Sequence, residues 1–201
     1  MTIAVADPQI KEAVRLLKQG GLIAFPTETY YGLGVDPFNK EALQRLFHVK
    51  QRSADKAVLV LVTDQSQVER LADSVPGDFN KLMAAFWPGP LTLVFPARST
   101  LPELLTGGTG TVGIRQSPDK TASCLLQEFA GPITATSANR SGALPATTAA
   151  EVKEIFGSEV DLILDGGATP GGQGSTLVGY DNDIFCIRPG KIPFETIQKS
   201  L

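Results

Sequence analysis

Apolar residues along the chain follow two spacings, one helical and one strand-like. The first helical segment begins with Asp7 and Pro8, which suit the residue before a helix and its first position. Its apolar stripe is Ile10, Ala13, Val14 and Leu17. Short continuous apolar runs such as "LIAF" and "AVLVLV" instead predict strands that are covered on both faces.

The alternation of these two patterns continues to the end of the sequence. Ser117 and Pro118 are expected to start one helix, and Thr148 with Glu151 forms a capping box for another. Further strands are predicted for "LTLVF", "TVGIR", "PITATS", "DLILD", "STLVGY" and "IFCIR". Because several strands follow one another without a helix, we expect an α/β fold with a mixed sheet and helices on its faces. No linker divides the sequence, so residues 1–201 are predicted to form one domain.

The composition excludes several classes of protein. The chain has 201 residues, 42% of them hydrophobic and 19% charged, which is typical of a soluble globular protein. No apolar run is long enough to cross a bilayer, and the sequence does not start with a secretion signal, so a cytoplasmic protein without a membrane partner is expected. The formal charge of −3 argues against a general nucleic-acid coat protein. Any anion must therefore bind locally.

A local cluster of cations precedes the second strand-like run. Lys50, Arg52 and Lys56 fall within the stretch "HVKQRSADKAVLVLVT". Lys50 at a helix end complements the helix dipole, which is a purely structural explanation. That explanation does not apply to Arg52 and Lys56, because they lie beyond the predicted helix. Three converging cations could also bind a polyphosphate. Both readings stay open from the residues alone.

Two polar loops follow predicted strands, where ligands often bind. "FPTETYYGLG" and "TATSANRSG" are rich in hydroxyls and small residues, which let backbone N–H groups approach an anion. Both are also ordinary turn compositions, and for the second this is the more common explanation. Arg115 and Arg188 each stand at the end of a predicted strand. They could bind a carboxylate or phosphate of a ligand, or each could form a surface ion pair. The segment "PGGQGST" reads as a lid or simply a loop.

Familiar nucleotide and metal motifs are lacking. "GTGTVG" fits G-x-G-x-x-G, but a strand follows it instead of a helix, so the dinucleotide interpretation is rejected. His48 is the only histidine, which nearly excludes a histidine-based triad or metal site. The expected metal is Mg²⁺ that arrives with substrate phosphates and has no protein site of its own.

The order of the motifs resembles that of the YrdC-like threonylcarbamoyl-AMP synthase family. The shared segments are "GGLIAFPTETYYGLG", "KQR", "FWPGPLTLV", "VGIR", "TSANRSG", "DLILDGG", "STLV" and "IRPG". The hallmark of that family is K-x-R followed downstream by S-x-N, and this sequence has both. The resemblance implies a twisted mixed parallel and antiparallel sheet with helices around a deep electropositive cavity. It also implies the short, single-domain form of the family.

By this resemblance the chain would condense L-threonine, bicarbonate and ATP into threonylcarbamoyl-AMP and pyrophosphate. Other proteins, a threonylcarbamoyl-transferase complex, would then modify adenosine 37 of tRNA, and direct contact with tRNA is a further expectation. The implied catalytic residues are Lys50 and Arg52, both on the ATP phosphates. The other implied ATP contacts are Thr111, Ser137, Asn139 and Arg188. The implied threonine contacts are Thr27, Arg115 and Ser175.

Two departures from the family pattern and two alternatives accompany this interpretation. Ser53 stands where the family often has proline after K-x-R, and Thr136 stands where proline often precedes S-x-N. One alternative is an RNA-binding or ribosome-assembly module that uses the same basic cavity, although the acidic composition counts against it. The other is a paralogue with a different small-molecule substrate, for which loss of K-x-R and S-x-N would be expected.

Overall fold

The computed structural model describes residues 7–201. Residues 1–6 lie outside the described residues. Two predictions fall on them: that the chain has no leader sequence, and that the domain starts at residue 1. The helices are α1 (Pro8–Lys18), α2 (Lys40–Lys50), α3 (Gln65–Leu71), α4 (Gly77–Phe86), α5 (Glu103–Thr106), α6 (Lys120–Phe129), α7 (Ala149–Phe156) and α8 (Phe194–Gln198), with a 3-10 turn at Gly157–Glu159. The strands are β1 (Ile23–Pro26), β2 (Tyr31–Gly34), β3 (Val60–Leu61), β4 (Leu91–Pro96), β5 (Thr111–Arg115), β6 (Ile133–Thr134), β7 (Thr136–Ser137), β8 (Leu162–Ile163), β9 (Thr176–Asp181) and β10 (Asp183–Arg188).

These strands form two sheets, each of mixed direction. The smaller sheet has the order β7-β2-β1-β8, in which only β1 and β8 run parallel. The larger sheet has the order β10-β9-β4-β5-β3-β6, with parallel pairs between β4 and β9 and between β3 and β5. The predicted mixed α/β fold is confirmed. A single sheet was expected, whereas the strands form two sheets.

The predicted strand "PITATS" divides between the sheets. Ile133 and Thr134 pair with β3, whereas Thr136 and Ser137 pair with β2. Ala135 at the crossing donates its N–H to Leu59 O at 2.8 Å, so this backbone donor is satisfied between the two strands. The segment therefore joins the sheets and carries Ser137 to the gap between them.

The run "AVLVLV" contributes a shorter strand than predicted. Only Val60 and Leu61 are paired in β3. The N–H of Val58 donates to Leu105 O at 2.9 Å, and the carbonyl of Ala57 accepts from the side chain of Arg52. Because these groups bond outside the ladder, the first half of the run is apolar loop and not strand.

Helix capping follows the sequence in most places. Asp7 accepts the N–H of Gln9 at 2.8 Å and caps α1. The predicted α1 stripe is buried and packs in a second core with α6. The predicted start of α6 is wrong: the helix begins at Lys120 because Asp119 accepts the N–H of Ala122 and caps it. No helix within residues 7–201 has the length and apolar character to cross a membrane.

Candidate active site

A pocket of about 610 Å³ opens between elements of the two sheets. Its walls come from the β1–β2 turn, from β4 and β5, from the segment that joins the sheets, and from the loop before β9. Seven of the nine predicted site residues line it: Thr27, Arg52, Thr111, Arg115, Ser137, Ser175 and Arg188. Lys50 and Asn139 do not line it and lie behind its wall. The fold thus brings loops far apart in sequence to one cavity.

At one end of the pocket, Thr27, Thr29 and Arg115 line the wall, and Glu28 and Ser117 lie behind them; these five residues are here called the ion-paired end. Arg115 is 3% exposed and its Nη1 forms an ion pair with Oε1 of Glu28. The other carboxylate oxygen of Glu28 accepts from Ser117 Oγ. Thr27 Oγ1 donates to Tyr30 O at 2.8 Å and lies 3.0 Å from Thr29 Oγ1, which fixes the turn after β1.

Arg115 is a buried cation with an unused donor. Burial lowers the pKa of its guanidinium, and the neighbouring Glu28 carboxylate acts in the opposite direction. Arginine stays protonated in proteins, so the charge is present and needs its partner. Nε of Arg115 has no hydrogen-bond partner among the described residues. A buried donor without an acceptor costs about 1–3 kcal/mol, so a ligand oxygen at this position would recover that cost.

Ser175 and Arg188 lie beside the ion-paired end. Thr92 Oγ1 donates to Ser175 Oγ at 2.8 Å, and Arg188 Nη2 donates to Ser175 O at 3.1 Å. A Cβ at Gly190 would lie 2.5 Å from Gly174 O, so only glycine lets the "IRPG" turn pack this closely on the loop before β9. This contact places Arg188 at the pocket wall.

The opposite end, here the carbonyl-bound end, consists of Lys50, Arg52, Ser137 and Asn139. Gln51 ends α2 in the left-handed region (φ 53°), which turns the chain so that Arg52 leaves the helix axis. Arg52 donates from Nε to Lys56 O at 3.1 Å and from Nη2 to Ala57 O at 2.7 Å. Burial lowers the pKa of Arg52. Its hydrogen-bond acceptors are neutral carbonyls, and the nearby Asp55 carboxylate offsets its charge only in part.

Lys50 stands behind this wall and holds the S-x-N loop. It is 2% exposed, and its Nζ donates to Ser137 O, to Asn139 O at 2.9 Å and to Asn139 Oδ1 at 3.2 Å. Burial, and to a lesser extent the charge of Arg52, lowers the pKa of Lys50 to about 7. Asn139 Nδ2 donates to Arg140 O and Ala143 O, so the loop is tied on both sides. The predicted phosphate contact of Lys50 stays a prediction.

The remaining predicted residue, Thr111, lies at the start of β5. Its Oγ1 is 2.8 Å from Thr109 Oγ1, and both residues line the pocket. Gly108 and Gly110 precede it with positive φ angles in a loop, and β5 follows, which confirms that "GTGTVG" is not a dinucleotide fingerprint. Lys56 is exposed and does not line the pocket.

Sequence reasoning missed three residues at the ion-paired end and one beside it. Glu28 and Ser117 hold Arg115, Thr29 lies 3.5 Å from its Nη1, and Thr92 holds Ser175. Thr92 was visible as the one polar residue inside "LTLVF", a signal for a buried hydroxyl that needs a partner. Glu28 was visible as a carboxylate directly after a buried strand.

The residues present do not form a metal cage. No group of three or more His, Cys, Asp or Glu side chains in the part of the chain from residue 7 onward could hold a metal ion. The side chains that line the pocket include arginines and hydroxyls, and Glu28 is already bound to Arg115 and Ser117.

Two mixed sheets with an arginine- and hydroxyl-lined pocket between them define a class of small-molecule-binding α/β protein. Comparison with known proteins shows which family the chain belongs to. A family model described as "Telomere recombination", named after Sua5, YciO and YrdC, matches residues 15–190. The chain belongs to this family, as its sequence motifs indicate.

Individual relatives carry printed names that bear on function. A threonylcarbamoyl-AMP synthase of Pyrococcus abyssi is 38% identical over 97% of this chain and 58% of that protein. A threonylcarbamoyl-AMP synthase of Coxiella burnetii is 41% identical over 80% of this chain and 87% of that protein. The crystal structure of P. abyssi Sua5 complexed with L-threonine matches with a TM-score of 0.92 at 38% identity, over 96% of this chain and 57% of that one. The chain thus spans little more than half the length of the P. abyssi relatives.

Proposed function

We propose that the chain is an L-threonylcarbamoyladenylate synthase, a nucleotidyltransferase that uses L-threonine, bicarbonate and ATP. The observation that carries the proposal is that one pocket joins an ion-paired end to a second end where Arg52 donates to backbone carbonyls and forms no ion pair among the described residues. The relatives named threonylcarbamoyl-AMP synthase and the threonine complex of P. abyssi Sua5 support it.

The two ends suit the two substrates. At the ion-paired end, Arg115 would take the threonine carboxylate through Nε and Nη2, which Glu28 does not occupy, and Thr27 and Ser175 would contact the rest of the amino acid. A carboxylate with two N–H donors is among the strongest hydrogen-bonded pairs in proteins.

The carbonyl-bound end would take the nucleotide. Arg52 and Arg188 both line the pocket and would face the phosphates. Burial lowers the pKa of Arg52, the Asp55 carboxylate raises it, and the charge of Arg188 lowers it further. Ser137 and Thr111 would contact the nucleotide directly. Lys50 and Asn139 belong to the same predicted set and fix the loop that carries Ser137.

The reaction needs position and charge more than a protein nucleophile. The threonine ammonium group first loses one proton, and the amine then forms a C–N bond to the bicarbonate carbon as a C–O bond breaks and water leaves, which gives a carbamate. A carbamate oxygen then attacks the α-phosphorus of ATP, and pyrophosphate leaves as the P–O bond breaks. Substrates held side by side lower the barrier, and Arg52 would stabilise charge on the departing pyrophosphate.

The proposal includes a Mg²⁺ ion that is bound to ATP and travels with it. When bound, this ion neutralises phosphate charge. The arginines of the pocket fit a substrate that carries its own cation, because they offer donors to the phosphate oxygens and no carboxylate to the metal.

The wider role remains a prediction. The product would be passed to a threonylcarbamoyl-transferase complex for modification of adenosine 37 in tRNA, in the cytoplasm. Direct tRNA binding by this chain is a separate expectation, and no feature of the described residues favours the RNA-binding module over the synthase.

Pyrophosphate release by the purified chain tests the proposal. Release from ATP should require both L-threonine and bicarbonate, and omission of either should reduce it to background. Equal release without threonine would refute the synthase. Binding of tRNA without any threonine-dependent release would favour the RNA-binding alternative.

A further inference from the structure

Glu28 lies at the ion-paired end but does not line the pocket. Its side chain is 12% exposed, and each carboxylate oxygen has one partner: Nη1 of Arg115 and Oγ of Ser117. The backbone carbonyl of Glu28 also accepts from Lys191 Nζ at 3.3 Å. The carboxylate is thus fixed from two sides.

The contact with Glu28 determines which hydrogen-bond donors of the Arg115 guanidinium remain available to a ligand. A guanidinium is planar and its five donors have fixed directions, so anchoring one nitrogen restricts the whole plane. Nη1 is taken by Glu28, with Thr29 Oγ1 at 3.5 Å on the same nitrogen. Nε is buried and has no partner among the described residues. Nη2 likewise makes no hydrogen bond among the described residues, so the unused donors lie on atoms other than the anchored one.

We infer that Glu28 is a positioning residue that orients Arg115 so that its unanchored donors, Nε and Nη2, receive the carboxylate of the amino-acid substrate. Ser117 belongs to the same device, because it holds the second oxygen of Glu28 and stops the carboxylate from turning. The inference rests on the proposed function for the nature of the substrate.

A purely electrostatic effect of Glu28 would have the opposite sign. A negative charge beside Arg115 weakens the attraction of that site for another carboxylate, so its removal would strengthen threonine binding. A positioning role predicts the reverse, because loss of the anchor lets the guanidinium rotate and Nε no longer faces the ligand. The direction of the change distinguishes the two.

The experiment is calorimetric titration of the full chain with L-threonine and with L-threoninamide, which lacks the carboxylate. The measured quantity is the ratio of the two dissociation constants. Glu28→Ala removes the anchor, whereas Glu28→Gln keeps one acceptor for Arg115 and should largely rescue the ratio. Glu12→Ala is the matched control, since Glu12 makes a similar pair with Arg15 on the exposed surface.

We expect wild type to prefer L-threonine, and Glu28→Ala to reduce that preference about tenfold or more. Glu28→Gln should stay within about threefold of wild type, and Ser117→Ala should lose about threefold because it removes only the second contact. Glu12→Ala should leave the ratio unchanged. A general folding defect would weaken both ligands equally and leave the ratio intact.

The outcomes distinguish a failure of the positioning role of Glu28 from a failure of the proposed function. If wild type binds L-threonine and Glu28→Ala keeps or raises the ratio, the positioning role is wrong and the proposed function stands. If wild type binds no L-threonine, the proposed function fails and this inference fails with it. If Glu28→Ala does not fold, Ser117→Ala decides, and an unchanged ratio in that variant overturns the inference.

Discussion

The two ends of the pocket bury their cations in different ways. At the ion-paired end, the charge of Arg115 is matched by the carboxylate of Glu28. At the carbonyl-bound end, Arg52 and Lys50 donate to carbonyl oxygens and to the amide of Asn139, all of which are neutral. The first end therefore holds an ion pair with Arg188 as a further cation nearby, and the second holds cations that form no ion pair within residues 7–201.

This difference corresponds to the charges of the proposed substrates. A zwitterionic amino acid has no net charge, so an end whose buried cation is ion-paired and keeps oriented free donors suits it. A triphosphate is strongly anionic and gains most where cations are desolvated without a counter-ion. An acidic chain of net charge −3 thus keeps its positive field local to one end of one pocket.

The largest expected effect comes from breaking the ion-paired end with Arg115→Met. The change removes the carboxylate receptor and leaves Glu28 buried without its cation, so we expect a loss of roughly 3–5 kcal/mol in the free energy of unfolding. Pyrophosphate release should fall about 100-fold or more. Urea unfolding and a release assay measure both, with Arg15→Met as the exposed control. Activity within tenfold of wild type would contradict the assignment.

Arg52→Met breaks the carbonyl-bound end. Because its partners are neutral carbonyls that water can reach after the change, we expect only about 1 kcal/mol of lost stability. The KM for ATP should rise about tenfold or more, while the affinity for L-threonine stays within about twofold. Steady-state kinetics with each substrate varied in turn measures this. An equal loss for both substrates would remove the distinction between the ends.

The depressed pKa of Lys50 predicts a pH dependence of stability. Its pKa falls from 10.5 to about 7 on folding, so between these values the unfolded chain binds a proton that the folded protein does not. The contribution of Lys50 to the free energy of unfolding therefore rises with pH across this window, by up to about 1.4 kcal/mol per pH unit. Urea unfolding at several pH values should show this slope in wild type.

Lys50→Met should flatten that slope, and Lys11→Met, a change on the exposed surface of α1, should keep it. A slope that survives in Lys50→Met would mean that other groups cause it. A slope of the opposite sign in wild type would contradict the burial of Lys50 as a depressed cation.

The smallest expected effect tests the hydroxyl pair beside the ion-paired end. Thr92→Val removes the 2.8 Å hydrogen bond to Ser175 and keeps the shape of the side chain. We expect about 1 kcal/mol of weaker L-threonine binding, roughly fivefold, with the KM for ATP unchanged. Calorimetric titration detects this change, and unchanged threonine affinity would place Ser175 outside the amino-acid site.

The sequence predicts most of the elements but little of their pairing. The apolar stripe of α1 and its Asp7 cap are local features, and the structure confirms both. The crossing of residues 133–137 between two sheets is not visible in the sequence, because a continuous strand-like run does not reveal which partners its two halves find. The start of α6 was misplaced because Ser117 and Asp119 both have helix-capping side chains.

The same limit applies to the site. Motif order identified the residues that meet at the pocket, including Arg115 and Ser175, although they are far apart in sequence. It did not reveal that Lys50 lies behind the wall, since a helix-end lysine can extend in several directions. The role of Glu28 was also hidden, because an ion pair between residues 87 positions apart is a property of the fold.

The most direct test of the account is the mass of the nucleotide product made from ATP, L-threonine and carbon-13-labelled bicarbonate. The account predicts a threonine-containing AMP derivative that carries one labelled carbon, formed together with pyrophosphate. A product without the label, or AMP and pyrophosphate alone, would show that the two ends of the pocket do not join these substrates.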